Sequence, residues 1–155
     1  MQRQACRLNP GKALLVIFLI IGITLPMGFA QDVGAAAPEP VVKDAAYWVD
    51  QGGLAATYGA YDSAIKYYKK ALAMGFEKSQ VYFNMGISYG ELGEYPLAMA
   101  YLDKAIHLNP DNGTYYYGRG RVYLLSGDKD MAMADFEHAV EIGSKDAQRY
   151  LEGAQ

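Results

Sequence analysis

The sequence predicts an all-α protein: an α-solenoid of three helix–turn–helix units closed by a short C-terminal capping helix. Three observations carry this. Trp48, Tyr82, Tyr116 and Tyr150 stand 34 residues apart, one after the other. Small residues keep the same beat: Gly52, Gly86 and Gly120; Gly59, Gly93 and Gly127; Ala64, Ala98 and Ala132; Ala71, Ala105 and Ala139. No two-residue alternation of apolar and polar side chains is sustained after Asp44, so strands have no support. Self-similarity at one period of this size marks units that stack because none buries its apolar stripe alone. Such a chain works by presenting a surface, since its repeated positions are consumed by packing.

The N-terminus reads as a targeting segment. Arg3, Arg7 and Lys12 precede the apolar run from Ala13 to Leu25 (ALLVIFLIIGITL), Pro26 breaks that run, and Gly28-Phe29-Ala30 closes it. A basic, then apolar, then small-x-small layout is that of a secretory signal over 1–30, cleaved between Ala30 and Gln31. An uncleaved anchor is the other reading, because Ala13 to Ala30 is free of charge. Its length sits at the short end of the roughly 17–25 residues that span a bilayer. Pro26 and the small residues favour cleavage. No cysteine stands at the small-residue site, so lipoprotein processing has no support. In both readings the basic flank stays inside and the remainder is exported, into a bacterial periplasm.

The exported part is acidic and free of cysteine. The chain holds 14 basic and 17 acidic residues; taking away Arg3, Arg7 and Lys12 moves the net charge from −3 to −6. That balance argues against nucleic acid or an anionic membrane as the main partner, leaving membrane contact only through an uncleaved N-terminus. The single cysteine, Cys6, lies in the leader. Disulfides, iron–sulfur ligation, thiolate zinc and cysteine-linked haem all drop out. Stability must come from apolar packing.

Residues 31–44 are Ala- and Pro-rich and have no helical period, so they form an extended linker. Helical spacing begins at Asp44, and the three units occupy 45–78, 79–112 and 113–146, with a cap and tail over 147–155. The spacing predicts helices over 45–57 and 62–74, 79–91 and 96–108, 113–125 and 130–142, then a short piece over 146–152. Gly59, Gly93 and Gly127 fall where first helices stop, since glycine tolerates the left-handed turn of a helix end. Asp62, Pro96 and Asp130 follow where second helices begin, aspartate as a cap and proline in a first turn.

The arrangement from Ala45 to about Glu152 resembles the tetratricopeptide repeat family. That family places an aromatic, a leucine, a small residue and a tyrosine on the first helix, then alanine, an aromatic and alanine on the second, with a proline near the end. The second unit matches with Tyr82, Met85, Gly86, Tyr89, Ala98, Leu102, Ala105 and Pro110. The third supplies Tyr116, Gly120, Tyr123, Ala132, Phe136 and Ala139, but has Arg119 for the leucine and Ser144 for the proline. The first is the weakest, with Trp48, Gly52, Ala64, Tyr68 and Ala71 but Gln51, Ala55 and Phe76 elsewhere. The small residues have a physical reason: a larger side chain at Gly86 or Ala98 would separate two closely crossing helices.

Catalytic chemistry finds no foothold. His107 and His138, the only histidines, stand at non-equivalent places and share no metal-ligand spacing. They read as surface residues, and no metal or cofactor is expected. The acid pairs Asp128/Asp130 and Glu91/Glu94 lie at turns and read as caps. No nucleophile elbow, phosphate loop or dinucleotide fingerprint is present, so the protein is not expected to be an enzyme. Of the 14 tyrosines, Tyr68, Tyr82, Tyr89, Tyr116, Tyr123 and Tyr150 fall on family core positions, and Tyr61 and Tyr95 pack at turns. Tyr47, Tyr58, Tyr67, Tyr101, Tyr115 and Tyr117 are left partly free.

The resemblance implies a partner in the concave face, lined by first-helix residues that point away from the core. Here Phe83, Asn84, Ile87, Tyr117 and Arg121 make that groove. Phe83, Ile87 and Tyr117 suit an apolar or helical peptide face, Asn84 a peptide backbone, and Arg121 a carboxylate. The alternative for Phe83 and Ile87 is plain packing against neighbouring helices. The charged clamp that some relatives use for a C-terminal carboxylate needs lysine and asparagine where Val49 and Gly53 stand; only Asn84 agrees with it. The sequence therefore predicts a non-catalytic adaptor or scaffold that binds a polypeptide partner. The alternative is a self-assembling module that stacks through its terminal edges. Val140 and Leu151 would supply weak homo-oligomer contacts at the C-terminal edge.

Overall fold

A computed structural model describes residues 43–153. The predicted signal over 1–30 and all but the last two residues of the predicted linker lie outside the described residues. Seven helices occupy the described part: α1 Ala45–Thr57, α2 Tyr61–Ala73, α3 Ser79–Glu91, α4 Tyr95–Leu108, α5 Gly113–Ser126, α6 Lys129–Glu141 and α7 Lys145–Gly153. No strand occurs among the described residues, and none of these helices is long and apolar enough to cross a membrane. Consecutive helices pack as antiparallel pairs, α1 with α2, α3 with α4 and α5 with α6, and each pair stacks on the next. The first helices α3 and α5 also touch directly. The described residues form an all-helical repeat solenoid.

One close contact recurs in every unit and sets its crossing. A Cβ on Gly86 would lie 2.6 Å from Leu102 Cγ, and one on Gly120 would lie 2.6 Å from Phe136 Cε1. In the first unit a Cβ on Gly52 would run into the ring of Tyr68. Tyr68, Leu102 and Phe136 are fully buried beside Ala64, Ala98 and Ala132, as the repeat pattern requires. Glycine on one helix thus receives the large side chain of the other, and contact at van der Waals range is what the packing gains.

The turns follow the expected chemistry in part. Gly59, Gly93 and Gly127 have φ of 72°, 78° and 92°, the left-handed geometry that ends a first helix. Between units, Gly75 and Gly143 do the same, but Asn109 at the equivalent place is extended (φ −150°), because Pro110 excludes a helical conformation before it. The caps differ from expectation. Asp128, not Asp130, caps α6 by accepting from Met131 N at 3.2 Å, and Asp62 lies inside the first turn of α2, whose N-cap is Ala60. Asp44 and Asn112 cap α1 and α5, accepting from Tyr47 N and Thr114 N.

Tyr115 corrects the sequence reading most. It is 2% exposed, stacks on Phe83 with ring centroids 4.9 Å apart, and shares a 3.0 Å hydrogen bond with Ser79 Oγ. Its counterparts one and two units earlier are Val81, also buried, and Tyr47. This place on the first helix faces the preceding unit, and the second and third units fill it with apolar bulk.

Candidate partner-binding groove

The first helices α1, α3 and α5 lie side by side along one face of the stack, so the shape of that face depends on how closely they approach. Between α1 and α3 lies a recess of ≈190 Å³, lined by Gly53, Ala56, Tyr61, Phe83, Asn84 and Ile87 among others. Gly53 opens it: a Cβ there would meet nothing within 4 Å. Phe83 and Ile87 form the apolar wall and are half-buried. Both press on α5 at Gly118, where a Cβ would collide with the Phe83 ring and lie 3.1 Å from Ile87 Cδ1. These two residues therefore wedge the α3–α5 contact and wall the recess at once.

Asn84 supplies the polar group. Its side-chain oxygen accepts from Gln80 Nε2 at 2.9 Å, and its carbonyl accepts from Ser88 Oγ at 2.8 Å. Tyr68 lies at the floor, where burial pushes its hydroxyl pKa up and a hydrogen bond from Asn84 opposes that. Of the five groove residues read from the sequence, the structure gathers Phe83, Asn84 and Ile87 into this recess. Tyr117 and Arg121 lie apart on α5. Tyr117 is half-buried against Phe136, with centroids 5.5 Å apart. Arg121 is half exposed and faces Glu91 at 3.4 Å, so Glu91 pairs a guanidinium instead of capping a turn.

The charged feature that the sequence reading missed lies behind the groove. Arg119 holds Asp135 at two points, Nε to Oδ2 and Nη2 to Oδ1, each 2.8 Å, and reaches Asp103 with Nη1 at 2.6 Å. Asp135 is nearly buried on α6, and Asp103 stands exposed on α4. Bonding to Asp135 raises the Arg119 pKa despite the opposing burial, with Asp103 adding to it. The repeat register holds the clue: Arg119 and Asp135 replace Met85 and Tyr101 of the second unit together.

A second unread feature is a ladder along the second helices. Lys70 Nζ lies 3.9 Å from the Trp48 ring centroid, and Lys104 Nζ lies 4.1 Å from that of Tyr82. In the third unit His138 stands edge-on to Tyr116 at 4.4 Å, its Nδ1 3.3 Å from Glu141. His138 is thus a packing residue, half-buried, while His107 is exposed. Among the described residues no group of three histidine, cysteine or acidic side chains has the placement to hold a metal ion.

Comparison with known proteins agrees with the geometry. Residues 79–112 and 113–146 each match a tetratricopeptide repeat family model. Among solved structures, the chain is similar to the Arabidopsis OM64 TPR domain (TM-score 0.61, 23% identity, covering 67% of this chain and 88% of that one). It is also similar to the first TPR of Spaghetti (RPAP3) bound to HSP90 peptide SRMEEVD (0.63, 22%, 72% and 90%). A third is the second TPR domain of human RPAP3 in complex with HSP70 peptide SGPTIEEVD (0.61, 24%, 70% and 92%). No curated protein matches the chain. Residues 79–146 carry two tetratricopeptide repeats, set within an all-helical repeat solenoid of the same fold as these domains.

Proposed function

We propose that this protein is an exported, non-catalytic adaptor that binds a polypeptide segment along its concave face. The observation that carries the reading is the recess between α1 and α3, where an apolar wall of Phe83 and Ile87 meets Asn84 over the open floor at Gly53. Apolar walls with one or two placed polar groups are what a peptide backbone and an apolar side chain require together. The solved domains of this fold with bound HSP90 and HSP70 peptides support a peptide as the ligand class. Val49 and Gly53 stand where a carboxylate clamp needs lysine and asparagine, so recognition of a partner's C-terminal carboxylate is not implied, and the apolar wall of Phe83 and Ile87 suits an apolar segment. Arg121, already facing Glu91, adds a charge-pairing point for an acidic residue of that segment. Export is read from the 1–30 layout, with a soluble periplasmic product after cleavage at Ala30.

Crosslinking in the native envelope followed by capture of the tagged chain tests the binding reading. Arg121→Glu is expected to weaken the captured complex by roughly 1.5–3 kcal/mol, as for loss of a charged hydrogen bond. Unchanged capture by both Arg121→Glu and Tyr117→Ala removes the α5 part of the groove from the reading. N-terminal sequencing tests export: a start at Gln31 supports it, and an intact Met1 in the membrane fraction establishes the anchor instead.

A further inference from the structure

The two ends of the stack are finished differently. Leu54 on α1 is 52% exposed, whereas its counterparts in the next two units, Ser88 and Val122, are 1% and 2% exposed. Val122 is covered because it seats on α3: a Cβ on Gly90 would lie 2.7 Å from Val122 Cγ2. By register, the seat that continues this series is Leu124 on α5, beside the exposed Leu125. Helix α7 occupies the start of a fourth first helix but runs nine residues, against 13 or 14 for α1, α3 and α5.

Helix α7 also begins as α1 begins. Three periods separate Lys43-Asp44-Ala45 from Lys145-Asp146-Ala147, which are identical, and Trp48-Val49-Asp50 from Tyr150-Leu151-Glu152, which match in kind. We propose that the C-terminal edge of one copy accepts α1 of a second copy in place of its own α7, joining chains head to tail. The two principal apolar contacts of α7 can be remade. Ala45 takes the fully buried place of Ala147, and Trp48 takes that of Tyr150, whose ring lies 4.5 Å from Phe136. Trp48 also meets Val140 as Tyr82 meets Leu72 between the first two units.

Two contacts favour the incoming helix. Tyr47 lies on Tyr117 as Tyr115 lies on Phe83, whereas α7 offers Arg149 at that place, exposed and turned to Asp146. Leu54 lies on Leu124, in the register by which Val122 lies on Gly90. Against this, α7 is tethered to its own edge and competes at high effective concentration. Exchange of an equivalent element between copies is therefore concentration-dependent, and the contact, being heterologous, builds a ring or an open filament. This contact leaves the α1–α3 recess open, but it covers Tyr117, so at that residue assembly and partner binding exclude each other. It also reverses the role of Leu151: as part of the cap it restrains assembly, while Val140 supports it.

Sedimentation of the full chain over a range of concentrations tests the exchange. Ala147→Asp, a carboxylate at a fully buried site, loosens α7. It is expected to lower the concentration of half-assembly at least about tenfold, because the apparent constant scales inversely with the fraction of open edges. Leu151→Glu is expected to act in the same direction, and adding Leu54→Lys to either returns the monomer. In a Cys6→Ser, Ala147→Asp background, mixing Leu54→Cys with Leu124→Cys chains is expected to give a disulfide-linked pair that neither gives alone. Monomers from both loosened variants, assembly indifferent to Leu54→Lys, or pairing of Leu54→Cys with itself would each overturn the proposal.

Discussion

Arg119 on α5 and Asp135 on α6 form a two-point ion pair, both contacts at 2.8 Å, at the place where the second unit buries Met85 in an apolar cluster with Ala98 and Leu102 of α4. The second unit uses an apolar pair where the third uses a charged one. Removing one partner of a nearly buried pair strands the other, at a cost of about 3–5 kcal/mol, whereas replacing both with packed apolar groups is close to neutral. Arg119→Met is therefore expected to destabilise the chain by roughly 3 kcal/mol. The double variant Arg119→Met, Asp135→Tyr, which copies the second unit, is expected to recover most of that loss. Urea unfolding of the two variants checks it.

Filling the recess separates binding from folding. A side chain at Gly53 meets no atom within 4 Å, and leucine in place of glycine gains up to about 1 kcal/mol of helix propensity. Gly53→Leu is expected to leave the unfolding midpoint unchanged or raised while reducing capture of the crosslinked partner. A stable variant that captures its partner normally would place the ligand elsewhere.

Much of this fold was legible because turn glycines, and Asn109-Pro110 between α4 and α5, fix the phase of the helices, so the predicted and observed bounds differ by one residue at most. Of the five groove residues read from the sequence, Phe83, Asn84 and Ile87 line one recess because first-helix register places them on one face, while Tyr117 and Arg121 lie apart on α5. What escaped needed pairs of elements. Arg121 faces Glu91 across 30 residues, and Arg119 meets Asp135 across 16, so neither pair shares a helix whose spacing would show it. Tyr115 escaped for another reason. The family pattern names the aromatic next to it, Tyr116, and the Tyr47, Val81, Tyr115 series shares bulk and not residue type.

Protection from hydrogen exchange is expected to be graded along the stack. Only Gly52 is fully buried in α1, whereas α3 buries seven residues including Val81, Tyr82, Met85 and Tyr89. Local opening follows the shortage of buried apolar contacts. Residues 45–57 are expected to exchange before 79–108. Equal protection of the two would mean that Trp48, held between Lys70 and Tyr67, anchors the first helix more firmly than its burial implies.

Alkaline pH is expected to unfold the chain through its buried phenols. Burial raises the pKa of Tyr68 above its ordinary 10.0, and that of Tyr123 in the same direction. A raised folded-state pKa contributes stability that is full below the unfolded value and is lost as pH climbs toward the folded one. Stability is therefore expected to be flat through neutral pH and to fall above about pH 10. Tyr68→Phe, which removes the ionisation and keeps the ring, is expected to soften that fall when unfolding is followed by circular dichroism.

The likeness of α7 to α1 sets the terms for building longer arrays from this chain. Because the two helices are offset by three whole periods, joining Ser144 of one gene copy directly to Lys43 of the next inserts no residue and removes none from the phase. Each junction would place Leu54 over Leu124 and bury it as Val122 is buried. A tandem of two becomes a continuous six-unit rod with a single surviving cap, and its melting temperature should climb with each copy added, since every junction converts two free faces into interior.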